Sequence, residues 1–372
     1  MTSQMHLRLA ALVAVAFAAA PFAQTDPPSG SSSGGTITAK YGAEFLASGV
    51  GARALGMGGA YVAHANDVTA GYWNVAGLNA VTGPQAAYMH AERFNGAVAF
   101  DYAAVAYPLS KRSTVAVSFV RSAVDDIANT LAAYDPATDT INPDNVTLFS
   151  AADNALYLSY ARGINDRLSV GATAKVIQRG IGDFASAWGY SLDIGAQLNI
   201  GRVQLGLNLQ DAPGMLQSWS VDEARFEDVP EESRPQGLNQ YVRPVARLGA
   251  ATEIPLSADI GLTAAADLDL GFDGRSANVL DAGGVSFLPR VGAELNYRQI
   301  LAFRAGISDL ATSDRFGTQL TPTVGAGVRL GQFDVDYGFG DFGGLASDLG
   351  MAHRVSLAYR FGAERVPAPQ TP

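Results

Sequence analysis

The sequence contains no cysteine, which excludes disulfides, thiolate catalysis and cysteine-ligated metals. Charged residues make up only 16 % of the 372 residues, against roughly 25 % in a typical soluble domain. No internal run approaches the roughly 20 apolar residues that a spanning helix needs, and the mean hydropathy is only +0.10. The net charge of −10 argues against nucleic-acid binding, because phosphate contacts require clustered Lys and Arg.

The N-terminus has the pattern of an export signal. Arg8 precedes an apolar run over residues 9–20, which has the length of a signal-peptide core but is too short to span a membrane. We therefore predict a signal peptide over residues 1–23, the alternative being a retained N-terminal anchor. Residues 24–35 are rich in Pro, Ser and Gly and predict a flexible linker.

From residue 85 onward, apolar and polar residues alternate with a period of two, as in Leu192, Ile194 and Ala196 against Asp193 and Gly195. Such alternation predicts strands with one apolar and one polar face. We predict fourteen strands, over residues 85–94, 100–109, 113–122, 154–164, 167–181, 187–200, 203–212, 243–254, 260–271, 286–298, 300–309, 322–331, 333–341 and 353–361. Most have the nine to thirteen residues typical of tilted spanning strands rather than of soluble ones.

The predicted connections alternate in length: turns after even-numbered strands are short, and most of those after odd-numbered strands are long. Outer-membrane barrels have short periplasmic turns and long outer loops. We therefore predict an all-β fold, a membrane-spanning antiparallel barrel over residues 84–361 in the bacterial outer membrane. The alternative is a soluble β-sandwich, whose apolar face would meet a second sheet.

The last predicted strand ends with an apolar, aromatic face, which resembles the signal recognised by the barrel assembly machinery. Its residues are Val355, Leu357, Tyr359 and Phe361.

Charged residues fall on the polar face of the predicted strands, which faces the lumen in a barrel, because lipid-facing Arg or Lys costs roughly 2–4 kcal/mol at the midplane. We expect them to form either an ion-paired network or a polar permeation path. The predicted lumen charges are Lys175, Asp193, Arg247, Asp267, Asp269, Arg290, Glu294, Arg298, Arg304 and Arg329.

The segment 51–80 reads GARALGMGGAYVAHANDVTAGYWNVAGLNA. It resembles the start of the PorV/PorQ family of outer-membrane proteins, which are related in architecture to FadL-type barrels. The matching residues are Arg53, Gly56, Met57, Gly58, Gly59, Ala60, Asn66, Asp67, Tyr72, Trp73, Asn74, Ala76, Gly77 and Leu78. Val75 stands where the family usually has Pro.

The resemblance implies a fourteen-stranded barrel whose N-terminal segment, residues 36–83, is a plug in the lumen, followed at the other end by a tail over residues 362–372. The glycines suit tight turns and close approach to the wall; a nucleotide-binding loop would need a strand and a helix around them. Arg53 needs an acidic partner, for which Asp67, Asp193, Asp267 and Asp269 are candidates. Trp73 is expected either to pack or to contact an apolar ligand, while the Asn and Asp residues are expected to form turns.

Catalytic signatures are missing: the sequence has no HExxH motif, and its one G-x-S-x-G string, at residues 30–34, lies in the predicted linker and not in a strand-to-helix elbow. We therefore predict no enzyme, although a Ser–His pair on the rim remains an alternative. His90 and His353 lie on the first and last strands, which pair when a barrel closes, but two histidines are insufficient for a metal site. No cofactor is predicted.

The long loops 123–153 and 213–242 are the expected partner surface, and the second is acidic. Its charge is either solvated near lipopolysaccharide or used to recognise a protein. The resemblance implies a barrel that engages secreted cargo or secretion-system subunits of type IX secretion. The alternative is a FadL-like transporter of small hydrophobic molecules gated by the plug. Expected partners are outer-membrane lipid, the assembly machinery and secreted proteins, with no nucleic acid.

Overall fold

Alternating sequence patterns become long, hydrogen-bonded strands in the computed structural model. The structure describes residues 36–39, 43–94, 96–131, 133–135, 138, 140–227, 229–272, 280–282, 285–313, 317–341 and 351–362. The predicted signal peptide 1–23, the linker 24–35 and most of the tail 362–372 lie outside these residues. No described helix has the length and apolarity to cross a membrane.

The described residues contain twenty strands: β1 (Thr36–Ala39), β2 (Gln85–Arg93), β3 (Val98–Ser110), β4 (Ser113–Asn129), β5 (Tyr134–Asp135), β6 (Thr140–Ile141), β7 (Thr147–Gly163), β8 (Leu168–Ile181), β9 (Ala185–Ile200), β10 (Val203–Gln210), β11 (Met215–Val221), β12 (Asn239–Val242), β13 (Val245–Pro255), β14 (Ile260–Gly271), β15 (Leu280–Ala282), β16 (Val285–Tyr297), β17 (Leu301–Ser313), β18 (Gly317–Leu330), β19 (Phe333–Asp341) and β20 (Met351–Arg360).

Fourteen of these strands form a closed antiparallel barrel in the order β2–β3–β4–β7–β8–β9–β10–β13–β14–β16–β17–β18–β19–β20. The ring closes because β20 pairs back with β2, for example Tyr88 with Leu357. Closure leaves the wall without free edges, which a lipid environment requires. The predicted fourteen-stranded barrel is confirmed.

The outer face of the wall is apolar. On β9, Tyr190, Leu192 and Ile194 are exposed, whereas Ser191 and Asp193 between them are buried. A soluble sandwich would bury the first set against a second sheet, so that alternative is wrong. Short turns of two to four residues join the strands at one end of the barrel, which we take as the periplasmic end.

Both long loops of the prediction are shorter in the structure. β4 continues to residue 129 and β7 begins at residue 147, so the predicted loop over 123–153 was too long. The predicted loop 213–242 contains β11 and β12, which pair with each other. β11 continues the pairing of β10 along β9 after a break at residues 211–214, so these two strands form one long, kinked wall strand.

The first described strand, β1, pairs in parallel with β12. Residues 43–83, called the inner segment below, follow it. This segment contains 3-10 helices at Glu44–Ser48 and Val75–Ala80 and short α-helices at Ala52–Gly56 and Ala70–Trp73. Three further 3-10 helices, Pro143–Asn145, Glu223–Phe226 and Glu231–Ser233, lie between wall strands.

Candidate functional site

The inner segment lies among inward-facing groups from widely separated wall strands. Ala52 N donates to Ser356 Oγ on β20 at 2.8 Å. On the opposite part of the ring, Gln197 Nε2 of β9 donates to Ala65 O at 2.9 Å. Most of the segment's residues are buried, and the segment therefore occupies the barrel interior.

Arg53 is the centre of the main ion-pair network. Its Nε and Nη2 donate to the two carboxylate oxygens of Glu294 at 2.8 Å each. Glu294 also accepts from Arg304, which reaches Asp336 at 2.7 Å. Of the candidate partners from sequence, only Asp67 is close, at 3.9 Å. The expectation of Asp193, Asp267 or Asp269 was wrong, because strand alternation fixes which face a carboxylate points to but not its depth along the barrel.

Asp267 holds the backbone of the inner segment instead. Its Oδ2 accepts from the N–H groups of Tyr61 and Val62 at 2.7 and 2.8 Å. A carboxylate can satisfy several backbone donors at once, and here it fixes a stretch of chain that forms neither helix nor strand.

The asparagine and aspartate residues of the segment stabilise its turns. Asp67 Oδ1 accepts from Thr69 N at 2.8 Å, and its Oδ2 accepts from Tyr61 OH at 2.8 Å. Asn74 caps the following 3-10 helix by accepting from Ala76 N, while its Nδ2 donates to Val62 O. Asn66 Oδ1 accepts from Arg53.

Glycine lines the contact between the segment and the wall. Gly58 has a φ of +64°, and a Cβ on it would lie 2.7 Å from Ile307 N on β17. In return, a Cβ on Gly306 would lie 2.3 Å from Gly58 N, and one on Gly292 would lie 2.2 Å from Met57 O. Inward glycines in similar contact occur on β8, β9, β10, β13, β16, β17, β18 and β19, namely Gly171, Gly195, Gly206, Gly249, Gly292, Gly306, Gly325 and Gly338.

This glycine belt brings wall and segment into backbone contact. Within the segment, Gly56 faces Gly325, and Gly59 has a φ of +74° beside Arg290 and Trp73. The sequence analysis identified the glycines of the segment but missed those of the wall. The one sequence signal for the wall glycines was their recurrence on the polar face of successive strands.

A second ionic cluster lies at the wall kink. Lys175 Nζ contacts Asp193 at 2.8 Å and also contacts Asp211. Asp211, at the start of the kink, accepts from Ser191 Oγ at 2.7 Å, and its own N–H donates to Asp193. Beside it, Asp269 pairs with Arg247 at 3.3 Å and with Arg290 at 2.9 Å. These charges neutralise each other inside the barrel.

Two predicted lumen charges lie at or beyond the short-turn end of the barrel. Arg298 follows the end of β16, has a φ of +51° and pairs with Asp259 in the neighbouring short turn at 3.0 Å. Its placement in the lumen was wrong, because strand alternation ends where the turn begins. Arg329 pairs with Asp334 at 2.9 Å at the short-turn end, and its side chain is one-third exposed.

Buried apolar side chains of the inner segment and the wall form a cluster in the barrel interior. Phe45 and Leu46 of the first 3-10 helix belong to one buried cluster with inward-facing wall residues. Those wall residues include Met89, Phe100, Tyr157, Ile177 and Met215. Interior faces of water-filled barrels are polar; here apolar side chains form part of the lining, bordered by Arg354 and Lys175, which lie over the rings of Phe100 and Tyr157. We call this region the apolar compartment.

Trp73 and Tyr72 pack inside the segment. Trp73 Nε1 donates to Val50 O at 2.9 Å, and its ring stands edge-on to those of Tyr61 and Tyr72. Both indole and phenol are buried.

The histidines are dispersed. His90 pairs with Asp101 at 2.8 Å, and His353 with Tyr337 OH at 2.7 Å. Within the described ranges, no group of three or more His, Asp or Glu side chains is arranged to hold a metal ion. His64 Nδ1 contacts Gln204, and Nε2 contacts Arg53. Burial and that guanidinium lower the pKa of His64.

On the last strand, Val355, Leu357 and Phe361 are exposed on the outer face. Tyr359 is half-buried in the same row and packs against Phe333 and Phe361. Recognition of this row by the assembly machinery stays a prediction.

A closed barrel with an apolar exterior and a filled interior defines the class of outer-membrane β-barrels. No protein-family model matches the sequence, and no curated protein matches it significantly. Solved structures do match. The Pseudomonas putida toluene transporter TodX aligns with 12 % identity over 83 % of this chain and 96 % of its own, with a TM-score of 0.54.

Two further structures agree. The Ralstonia pickettii toluene transporter TbuX has 13 % identity over 85 % of this chain and 98 % of its own, with a TM-score of 0.50. The monoaromatic hydrocarbon channel CymD has 14 % identity over 84 % and 98 %, with a TM-score of 0.51. The chain therefore has the fold of FadL-type outer-membrane barrels, and the proteins it resembles are transporters and channels rather than enzymes. Membership of the PorV/PorQ family stays a prediction.

Proposed function

We propose that the chain carries small hydrophobic molecules across the outer membrane and that the inner segment gates their passage. The observation that supports this most directly is the apolar compartment, which an apolar solute would find more favourable than a polar lumen. In the present structure Phe45 and Leu46 are buried in it.

The way the segment is held fits a gate. Phe45 and Leu46 lie next to Ser48 and Gly49, which contact the wall through Arg93 and Arg354. The contacts to wall carboxylates, those of Glu294 and Asp267, begin only at Arg53 and Tyr61. Movement confined to residues before Gly51 would therefore vacate the compartment without breaking the central ion pairs.

TodX and TbuX are toluene transporters and CymD is a monoaromatic hydrocarbon channel, so toluene is a suitable first probe. We expect cells that carry this protein in the outer membrane to take up labelled toluene faster than cells with an empty vector. Ile177→Asn places an amide in the apolar compartment and should lower that uptake, because an unpaired buried amide is costly beside an apolar solute.

Ile181→Asn is the matched control, since Ile181 lies on the same strand but is exposed. Folding of each variant is checked by the heat-dependent shift in gel mobility. Equal uptake by wild type, both variants and the empty vector would contradict the proposal.

Engagement of secreted proteins is the second candidate, favoured by the PorV/PorQ-like motif and by the acidic outer loop. Glu223, Glu227 and Glu231 of that loop are exposed. Co-purification from native outer membranes separates the two candidates. A secreted protein that is captured by wild type and lost when these three residues are changed to Gln, together with unchanged toluene uptake, would favour the secretion role.

A further inference from the structure

A groove of about 500 Å³ lies at the short-turn end of the barrel. Its polar lining is formed by Ser110, Arg112, Ser113 and Arg162, and its apolar lining includes Tyr160 and Ile164. None of these residues belongs to the barrel interior that the proposed function uses.

The groove opens on the lipid-facing side of the wall. Ser110, Ser113 and Arg162 are cross-strand neighbours on β3, β4 and β7. Arg162 continues an outward row in which Leu158 and Tyr160 are exposed. Arg162 thus stands at the end of an apolar stripe, one step beyond a tyrosine, as at a membrane interface.

The neighbouring row strengthens this placement. Tyr107, Val115 and Tyr160 are cross-strand neighbours, and both tyrosines are exposed. Aromatic side chains at this height mark the boundary between hydrocarbon and headgroups. A register shift between Pro108 and Ser110 leaves Leu109 and Ser110 both exposed.

The charges of the groove do not balance. Arg112 pairs with Asp166 at 2.8 Å, and both side chains are exposed. Arg162 makes no side-chain hydrogen bond or ion pair with any residue in the described part of the chain. Two guanidinium groups and one carboxylate leave a net charge of +1. The hydroxyls of Ser110 and Ser113, which lie 2.7 Å apart, add hydrogen-bonding groups beside it.

We propose that this groove binds the phosphate of an anionic phospholipid in the periplasmic leaflet. Arg162 and Arg112 hold the phosphodiester, Ser113 hydrogen-bonds to it, and an acyl chain runs along Tyr160 and Leu158. A single negative charge matches the excess of the groove, and basic pockets at membrane interfaces bind acidic headgroups in this way. The tail distinguishes a lipid from a free anion, because only a lipid also uses the apolar stripe.

Native mass spectrometry of the full-length protein released from nanodiscs tests the proposal. Nanodiscs of phosphatidylglycerol and phosphatidylcholine in equal amounts should yield barrels that retain phosphatidylglycerol preferentially. Arg162→Gln should weaken that retention about fivefold, as expected for one arginine at a lipid headgroup, and adding Arg112→Gln should remove the preference.

Arg202→Gln is the matched control, because Arg202 is exposed in another short turn of the same rim but does not line the groove. The heat-dependent gel shift shows that each variant is folded. Equal retention of phosphatidylglycerol by wild type and the double variant would overturn the proposal. So would displacement of the lipid by inorganic phosphate at equal concentration, since that result would assign the site to a free anion.

Discussion

Glu294 is the residue on which we expect the position of the inner segment to depend most. Its carboxylate is buried and is shared by the guanidinium groups of Arg53 and Arg304. Glu294→Gln preserves the shape of the side chain but removes the charge that both groups contact. The expected result is an inner segment that leaves its site more often while the barrel remains closed.

The magnitude follows from the contacts. Removing one partner of a buried ion pair costs about 3–5 kcal/mol. The Arg53 side chain is 22 % exposed and keeps Asp67 at 3.9 Å, so solvent and a second carboxylate reduce this cost to about 2 kcal/mol. That corresponds to about a 30-fold increase in the population of displaced segment.

The absence of cysteine makes the measurement simple. Ala54→Cys introduces a single thiol at a position that is 1 % exposed, so a thiol reagent reacts mainly when the segment is displaced. When opening and closing are fast, the labelling rate follows the open population. Glu294→Gln should therefore accelerate labelling of this thiol about 30-fold by the same conversion.

Glu92→Gln is the control and should leave the rate unchanged, since Glu92 has an exposed side chain on β2 and contacts His90 of the same strand. Arg53→Gln and Glu294→Gln should be strongly non-additive, because they remove the same interaction. An unchanged labelling rate in Glu294→Gln, or additive effects of the two substitutions, would refute the reasoning.

Three further predictions concern the contact between the inner segment and the barrel wall. Gly306→Val should displace the inner segment and raise ion conductance in planar bilayers, because the valine side chain would overlap the backbone of the segment. Gly261→Val is the control and should leave the conductance unchanged, because its side chain meets open space. Equal conductance of the two variants would argue against the glycine belt. Burial lowers the pKa of His64 from its ordinary value of 6.5, so the inner segment should be most stable above pH 6.5. Labelling of the Ala54→Cys thiol should rise as the pH falls below 6.5, and should rise less in the His64→Gln variant. The same pH profile with and without His64→Gln would exclude His64 as the group responsible. Deleting residues 36–83 should raise conductance while the heat-dependent gel shift persists; unchanged conductance would mean that the segment does not close the lumen.

Strand number and orientation were predictable because they depend on local chemistry. Alternation along β14 and β16 shows which side chains face outward, and tight turns such as Gly201–Arg202 mark where the chain reverses. The kinked strand β10–β11 was not predicted, since residues 211–214 carry turn signals that would equally well end a strand.

The identity of many residues around the inner segment was also predictable. The motif residues Arg53, Gly58 and Asn74 and the inward charges of the wall stood out by type and position in the sequence. Their pairing did not: Arg53 and Glu294 are 241 residues apart, and several inward carboxylates were equivalent by alternation alone.

The sequence by itself determined a closed, lipid-facing barrel, because each strand's alternation is a local property of its own side chains. Only the tertiary structure decided how the interior is filled. Depth along the barrel, and which wall strand meets which part of the inner segment, follow from ring closure and strand stagger. Those quantities arise from all fourteen strands together and are encoded in no single segment.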